Sequence, residues 1–251
     1  MNFGMIWEVD KKHKIAKITF WDGFVMYMPH RGKWDCEAFR NYNSVVLLDQ
    51  YRAGDFIHKD DIVIDAGAHV GLFSYWAAQR GAIIHAFEPY QPNIEAFRLL
   101  LGEYSLEDKV VIVGRALSDE GGRVPFWEHP ENTGSGRITI EGFGTTEVEA
   151  QRLDDWVADA KLEHVDFIKI DTEGHERQVL RGATETIRQF RPVIAASAYH
   201  FPEDEKDLPR LVNDIVDGYH IVVERARGYL PCEKVMFAVP EERLGSHNPW
   251  A

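Results

Sequence analysis

The strongest constraint on the fold of this chain is an apolar run that ends in a glycine-rich turn, at residues 62–71. Residues 62–65 have the length and composition of a buried strand, and a helical pattern starts directly after the turn. Units of this kind bring backbone N–H groups and a helix N-terminus against a ligand. Gly67 would allow the tight turn, and Gly71 the close packing of helix on strand. The pattern predicts a ligand site, and a purely structural turn is the alternative interpretation.

From residue 60 onward, apolar runs of strand length alternate with helical patterns, which is typical of βαβ units around a parallel sheet. The predicted parallel strands are residues 62–65, 83–87, 110–113, 167–171 and 193–198, with 220–225 and 235–239 as an antiparallel edge. The predicted helices are residues 70–80, 92–101, 153–160, 175–188 and 205–216. We therefore expect an α/β, Rossmann-like fold, with a mostly parallel seven-stranded sheet and helices on both faces.

Two segments differ from this pattern. Residues 1–54 are predicted to form an N-terminal extension, followed by the main domain at 55–251. The extension is predicted to contain strands at 5–9, 15–20 and 24–28 and a helical stretch at 36–52. Residues 128–146 are too rich in glycine for a regular helix. We interpret them either as a mobile loop or hairpin that closes over a substrate, or as a plain surface connector.

An acidic residue, Glu88, ends the second predicted strand, about 20 residues after the glycine turn. At this spacing a carboxylate accepts hydrogen bonds from the ribose hydroxyls of a nucleoside cofactor. Pro89 follows directly and could line the adenine ring. We therefore predict a nucleoside-containing cofactor; a solvated charge at the strand end is the alternative interpretation of Glu88.

The positions of the glycines discriminate between such cofactors. A dinucleotide-binding turn has glycines at its first, third and sixth positions, so that the backbone can approach the pyrophosphate. Here His69 stands at the third position, and the next glycine is Gly71. This favours S-adenosylmethionine, which has no pyrophosphate, over a nicotinamide dinucleotide. Asp65, beside the turn, is expected to attract the ammonium group of the methionine part, directly or through water.

Five motifs occur in a fixed order along the chain. They are Val63-Ile64-Asp65-Ala66-Gly67-Ala68-His69-Val70-Gly71, Phe87-Glu88-Pro89, Ala116-Leu117-Ser118-Asp119, Leu153-Asp154-Asp155 and Phe167-Ile168-Lys169-Ile170-Asp171-Thr172-Glu173-Gly174-His175-Glu176. The series resembles the FkbM-type family of S-adenosylmethionine-dependent methyltransferases, over about residues 55–240. The resemblance implies a class I methyltransferase that methylates hydroxyl groups of sugars, glycans or natural products. It also implies that Ser118 and Asp119 lie near the adenine. His69 is a departure, since the family often has Asn there.

Methyl transfer to a hydroxyl group requires a positioned acceptor and removal of its proton. The ends of the fourth and fifth parallel strands should place Asp171 and His200 at the cleft. We predict that Asp171 orients the cofactor or the acceptor, with helix capping as the alternative. His200 is the predicted general base, with a solvent-exposed histidine as the alternative. Lys169 is expected to form an ion pair. No metal ligands are assigned, although Asp171, Glu173, His175 and His200 carry suitable atoms.

Charge and composition limit the possible partners. The formal net charge of −13 opposes binding to a phosphate backbone, so we expect a small molecule or glycan with a hydroxyl acceptor and no nucleic acid. The start of the sequence does not resemble a signal peptide, and no apolar run has the length of a membrane span. With two widely separated cysteines, this favours a cytoplasmic protein, and a homodimer is possible. The alternative functions are a nicotinamide-dependent oxidoreductase and a cofactor-binding subunit without catalysis.

Overall fold

The computed structural model of the protein describes residues 4–30, 36–130, 132–139, 143–228, 232–244 and 250. Its strands are β1 (Ile6–Asp10), β2 (Ile15–Thr19), β3 (Val25–Pro29), β4 (Ile62–Ala66), β5 (Ile83–Phe87), β6 (Val110–Val113), β7 (Ala116–Leu117), β8 (Gly122–Trp127), β9 (Arg137–Ile138), β10 (Thr146–Gln151), β11 (Phe167–Ile170), β12 (Val193–Ser197), β13 (Tyr219–Arg225) and β14 (Lys234–Pro240). Its α-helices are α1 (Cys36–Asn41), α2 (Ala53–Phe56), α3 (Leu72–Ala78), α4 (Gln91–Tyr104), α5 (Leu153–Asp159), α6 (Glu176–Gly182), α7 (Thr184–Phe190) and α8 (Asp204–Ile215).

The main sheet has seven strands within the described residues, in the order β13-β14-β12-β11-β4-β5-β6. Strands β12, β11, β4, β5 and β6 are parallel, and β14 and β13 form an antiparallel edge. This confirms the predicted Rossmann-like sheet. The chain leaves β4 toward β5 and β6 on one side and later returns to β11 on the other. The order therefore reverses beside β4, and the carboxyl ends of β4, β5 and β11 meet where such sheets bind ligands.

Alternate residues of the central strands enter two different cores, because successive side chains of a strand point to opposite faces of the sheet. On one face Val63, Phe167 and Val193 pack with Phe73 of α3 and Phe97 of α4. On the other face, Ile64, Ile168 and Ile194 pack with residues of α5 to α8, among them Val157, Leu180 and Leu208. Both faces are thus covered by helices, which explains why these strands are apolar almost throughout.

The N-terminal extension forms a three-stranded antiparallel sheet, β1-β2-β3, as predicted. Its apolar face packs on helix α4, where Ile18 and Met26 share a core with Leu100. The hydroxyl of Tyr104 accepts the backbone N–H of Val25 at 2.7 Å. The extension thus shares a core with helices α3 and α4 of the main domain, and the division between residues 54 and 55 stays a prediction.

The stretch predicted to be helical at 36–52 contains α1 and, directly after it, a π-helix at Tyr42–Leu47, and it is not helical from there to the start of α2 at Ala53. The chain breaks at Asp49 and Arg52, whose φ angles are 48° and 50°. The carboxylate of Asp49 accepts the backbone N–H groups of Ala53 and Gly54, each at 2.8 Å. Asp49 therefore caps a new helix instead of continuing the old one.

The helix predicted at 175–188 is two helices, α6 and α7. A carboxylate from α5 causes the break: Asp154 accepts the backbone N–H and the hydroxyl of Thr186 at 2.9 and 2.8 Å. Asp154 thus satisfies the N-terminus of α7 from a distant part of the chain. Such a long-range cap leaves no local signal in the sequence around residue 183.

A second small sheet, β7-β10-β8-β9, lies between β6 and α5 in the chain and was not predicted. Strands β8 and β10 are antiparallel, so residues 128–146 largely connect the two strands of a hairpin. Within that connection Thr133–Ser135 form a 3-10 turn, and β9 pairs with β8. Residues 131 and 140–142 of the connection lie outside the described residues.

Among the described helices, none combines the length and the apolar character that a bilayer crossing requires.

Candidate active site

The glycine turn after β4 is shaped by two close approaches of other segments. Gly67 has a φ angle of +78°, and a Cβ atom there would overlap the backbone carbonyl oxygen of Asp171. Gly71 has a φ angle of +85°, and a Cβ atom there would overlap the ring of Phe97. Gly71 therefore makes room for a ring of α4, while Gly67 lets the turn lie directly against the end of β11.

Glu88, at the end of β5, lies next to this turn. Its carboxylate accepts the backbone N–H of His69 at 2.8 Å and that of Tyr90 at 2.9 Å, and the side-chain amide of Asn93 at 3.3 Å. Burial raises the pKa of Glu88 to about 7, against the effect of these hydrogen bonds. The structure therefore brings the predicted ribose-binding carboxylate and the predicted methionine-binding turn together in one place.

A cavity of about 540 Å³, here called the inner cavity, opens between the turn and Glu88. Its walls include Gly67, His69, Glu88, Pro89, Asn93 and Leu117. A second cavity of about 750 Å³, the front cavity, is lined by residues that include Tyr51, Gly67, His69, Lys169, Asp171 and Tyr199. The two cavities meet at the turn and at the end of β11.

His69 belongs to both cavities and has a left-handed backbone, with a φ angle of 53°. Its Nε2 atom lies 3.0 Å from the hydroxyl of Thr133. The backbone carbonyl of Thr133 also accepts a hydrogen bond from the side-chain amide of Asn93, at 3.3 Å. Burial lowers the pKa of His69 to about 4, so this imidazole is neutral. The glycine-rich connection at 128–146 is thereby attached to the turn, beside the inner cavity.

Asp65 has a different position from the one expected from the sequence. It is completely buried beneath the turn, where it forms an ion pair with Lys169 at 3.0 Å and accepts the hydroxyl of Ser74 at 2.7 Å. Asp65 and Lys169 are register partners on β4 and β11, which explains the pairing. The ion pair predicted for Lys169 is confirmed. A carboxylate so enclosed affects a ligand through Lys169 and the turn rather than by direct contact.

Lys169 also donates a hydrogen bond to the backbone carbonyl of Gly67, at 2.7 Å. It therefore joins the end of β11 to the turn after β4.

Ser118 and Asp119 follow two residues that line the inner cavity, Ala116 and Leu117. The hydroxyl of Ser118 lies 2.9 Å from Nε2 of His175, which also lines this cavity. Their predicted place near an adenine stays a prediction.

Asp171, directly after β11, lies at the junction of the two cavities. Its Oδ2 atom accepts the hydroxyl of Tyr51 at 2.8 Å, while Oδ1 is buried without a hydrogen-bond partner among the described residues. Burial acts to raise the pKa of Asp171, but Lys169 and His200 outweigh it, so the pKa lies below its ordinary value. Asp171 is therefore an ionised carboxylate with one oxygen left for a ligand.

Asp171 does not cap helix α6, which was the alternative interpretation, and the N-cap residue His175 makes no side-chain capping hydrogen bond either. Glu176, the first residue of α6, instead holds the turn before the helix. Its buried carboxylate accepts the backbone N–H of Thr172 at 2.8 Å and that of Gly174 at 3.3 Å. The side chain thus folds back over the turn that precedes its own helix. This fixes the conformation of residues 172–174, of which Glu173 and Gly174 have φ angles of 56° and 102°.

His200 lies among three carboxylates. Its Nδ1 atom is 3.1 Å from Glu176, and its Nε2 atom is 3.8 Å from both Asp171 and Glu173. Burial acts against a charge on this ring, but the three carboxylates, Glu176 above all, raise the pKa of His200 to about 9. At neutral pH the ring is therefore an imidazolium without a free lone pair. This differs from the neutral general base predicted from the sequence.

The side chains of Asp171, Glu176 and His200 come within 4.8 Å of one another, so their arrangement also has the dimensions of a cation site. The contacts of these side chains favour an arrangement without a metal ion, because Glu176 already accepts backbone hydrogen bonds and forms an ion pair with a protonated His200. The positive charge of the group is then the imidazolium itself. The assignment of no metal ligand stays a prediction.

Sequence reasoning missed Tyr51 and Glu176 as functional candidates, and it considered Glu173 only as a residue with atoms suited to a metal ion. Tyr51 comes from the N-terminal extension, and only the folded structure places it on Asp171. Glu173 and Glu176 belong to the motif at residues 167–176. Glu173 and Gly174 have left-handed backbone conformations, and a Glu-Gly pair is a sequence signal for a sharp turn that directs a side chain into the site.

The sheet order defines a Rossmann-like α/β protein, with a carboxylate beside the glycine turn that ends β4. Residues 65–231 match the methyltransferase FkbM domain, and the chain belongs to this family of methyltransferases. The 2-O-methyltransferase NoeI of Sinorhizobium fredii is 25% identical over 228 residues, which cover 82% of this chain and 92% of that protein. The hexuronic acid methyltransferase AglP of Haloferax volcanii is 26% identical over 182 residues, 72% of each chain.

A crystal structure of methyltransferase FkbM from Methylobacillus flagellatus has the same fold, with a TM-score of 0.56 and 22% identity. The similarity covers 71% of this chain and 43% of that one.

Proposed function

We propose that this methyltransferase uses S-adenosylmethionine to methylate a hydroxyl group of a sugar, a glycan or another small hydroxylated compound. The observation that carries the proposal is the junction of the inner and front cavities at Gly67 and Asp171, with Glu88 at one end. A ligand that spans these cavities has its nucleoside at Glu88 and its reactive end at β11.

The residues present fit this cofactor. Glu88 offers its carboxylate to a ribose, and Pro89, with Phe87 and Leu117, gives apolar walls for an adenine. Gly67 and His69 of the turn line both cavities, so the turn is within reach of a ligand in either. When bound, S-adenosylmethionine supplies an electrophilic methyl group. The protein's own contribution is to orient the two reactants, to exclude water and to remove a proton from the acceptor.

The nature of the acceptor rests on the relatives. One of them is named for 2-O-methylation, and another is named for the methylation of a hexuronic acid, which is a sugar acid. The net charge of −13 supports the prediction that nucleic acid is not the substrate. A cytoplasmic location and a homodimer are further predictions that follow from the sequence.

Calorimetric titration with S-adenosylhomocysteine and with NAD tests the cofactor. We expect binding of the former only; binding of NAD alone would favour the oxidoreductase that the sequence left open. Glu107→Gln, an exposed glutamate on the loop after α4, is the matched control for Glu88→Gln. Loss of S-adenosylhomocysteine binding in the second variant only is the expected result.

Transfer of a tritiated methyl group to 4-nitrophenyl glucuronide tests the acceptor, with the 4-nitrophenyl glucoside and an RNA oligonucleotide as comparisons. Mild alkali releases methanol from a methyl ester of the uronic acid, whereas a methyl ether keeps its label. We expect alkali-stable label on a glycoside. Label on RNA, or label lost entirely in alkali, would contradict O-methylation of a hydroxyl group. A protein that binds the cofactor and labels none of these would be the non-catalytic subunit.

A further inference from the structure

Glu173 has a position that no other described residue shares. It lines the inner cavity, the front cavity and a third, more open groove on the other side of β11. This outer groove also includes Trp127, Arg137, Arg177, His200 and Phe201. Any acceptor that approaches the junction, whether through the front cavity or through the outer groove, therefore meets the Glu173 carboxylate.

The order of the strands places the reaction beside this residue. Glu88 ends β5, the glycine turn ends β4, and β11 is the next strand in the sheet. A cofactor held by the first two has only its methyl-bearing end left to face β11 and the residues after it. The buried Oδ1 atom of Asp171, which has no hydrogen-bond partner among the described residues, faces this same junction.

The backbone also directs Glu173 toward the junction. Its left-handed conformation, with a φ angle of 56°, is unfavourable for a residue with a side chain. Gly174 must follow, because a Cβ atom at that position would meet the ring of Phe201. Glu176 holds the turn by hydrogen bonds to Thr172 and Gly174. The turn thus keeps Glu173 out of helix α6 and in the site.

We propose, on the basis of the proposed function, that Glu173 rather than His200 is the general base that accepts the proton of the acceptor hydroxyl. As the methyl carbon leaves sulfur and bonds to the acceptor oxygen, the O–H bond breaks and its proton passes to the Glu173 carboxylate. The products are the methyl ether, S-adenosylhomocysteine and neutral Glu173, which later releases the proton to water. His200 is a positioning residue, since its imidazolium at 3.8 Å orients the carboxylate.

The charges around Glu173 suit this role. Burial and the charge of Asp171 raise the pKa of Glu173 to about 7, which is the range in which a carboxylate is an effective base. Glu176 acts in the same direction, and the cations His200 and Arg137 act against it. Of these groups, Asp171 and Glu176 lie on either side in the chain, His200 follows β12, and Arg137 belongs to β9.

Sinefungin, which carries an ammonium group where the methyl donor carries its methyl, tests the position of Glu173 without an acceptor. Calorimetry should show that the unmodified protein binds sinefungin more tightly than S-adenosylhomocysteine. Glu173→Gln should reduce this preference by about tenfold to a hundredfold, the effect of one charged hydrogen bond, and leave the affinity for S-adenosylhomocysteine unchanged. Glu173→Asp keeps the charge and should retain part of the preference; the exposed Glu163→Gln is the control.

His200→Gln separates the two candidate bases. Removal of a cation should strengthen the preference for sinefungin, the opposite of the change in Glu173→Gln. In the tritium assay, Glu173→Gln should reduce kcat by about 10²–10⁴-fold with little change in KM. The inference is overturned if Glu173→Gln keeps both the preference for sinefungin and the kcat of the unmodified protein. It is also overturned if the variant binds S-adenosylhomocysteine more weakly by the same factor as sinefungin. Failure of the unmodified protein to bind S-adenosylhomocysteine would overturn the proposed function as well, so the two failures are distinguishable.

Discussion

The two halves of the site are built in different ways. In the cofactor half, the turn and Glu88 belong to one strand–helix–strand unit and contact each other directly. In the half around His200, the contacting residues come from the N-terminal extension, β11, α6 and the segment after β12. A site made from one contiguous unit can be interpreted from its motif. A site assembled from four segments has ionisation states that depend on the whole fold.

The comparison is clearest for the two titratable groups. Glu88 has its pKa raised because it is buried, and His200 has its pKa raised because carboxylates surround it in spite of its burial. The pKa of Glu88 is thus set mainly by loss of contact with water, and that of His200 mainly by the charges of nearby carboxylates. Each of the following experiments acts on one half, or on the link between them.

Lys169→Met should have the largest effect, because it removes the cation that links the halves and leaves Asp65 buried without its ion-pair partner. We expect a loss of about 3–5 kcal/mol in the free energy of unfolding, measured by urea denaturation. Lys206→Met, at an exposed position of α8, is the matched control and should change stability by less than about 0.5 kcal/mol. Equal stabilities of the two variants would show that the halves are independent.

His200→Gln should change how stability depends on pH. A histidine with a raised pKa stabilises the fold while it is protonated; this contribution is complete below about pH 6.5 and is lost as the pH rises through about 9. The unmodified protein should therefore lose up to about 3 kcal/mol over this window, since each pKa unit corresponds to about 1.4 kcal/mol. The variant should show a flatter profile in urea denaturation. A profile as steep as that of the unmodified protein would mean that the imidazole is neutral.

Glu88→Gln should weaken S-adenosylhomocysteine binding at pH 8 by about 1.5–3 kcal/mol, the value of a hydrogen bond to a charged group. At pH 6, below the pKa of about 7, Glu88 is largely protonated and the two proteins should differ less. Calorimetric titration at both pH values measures this difference. An affinity difference that does not change with pH would show that the carboxylate is ionised throughout, against the effect of its burial.

Tyr51→Phe should have the smallest effect, because it removes one hydroxyl and keeps the ring. We expect a loss of about 1 kcal/mol in stability. Methyl transfer should slow while S-adenosylhomocysteine affinity stays the same, since Tyr51 contacts Asp171 and not Glu88. Tyr27→Phe, whose hydroxyl binds the more exposed Glu103, serves as the control. A weaker cofactor affinity in Tyr51→Phe would show that the extension supports the cofactor half instead.

The sequence predicted the main sheet well because its parallel strands are apolar almost throughout, and β4, β5, β11 and β12 are each followed by a helix. It predicted that Lys169 forms an ion pair but did not identify the carboxylate, because the register between β4 and β11 is a property of the folded sheet. It placed Asp65 at the ligand, although the side chain points under the turn, because strand alternation alone does not say which face a ligand occupies. It described His200 by its ordinary pKa, since Glu176 and Glu173 come close to the ring only in the folded structure.

The hydrogen bond from Tyr51 to Asp171 extends beyond the family-matched region, which begins at residue 65. A chimera that exchanged only residues 65–231 with a relative would thus combine one protein's reactive strand with the other's front-cavity wall. Exchange of the extension alone would leave Glu88 and the turn in place while it replaced front-cavity residues such as Glu37 and Arg40. Such a pair of chimeras would separate the contribution of the extension to the front cavity from that of the family-matched region.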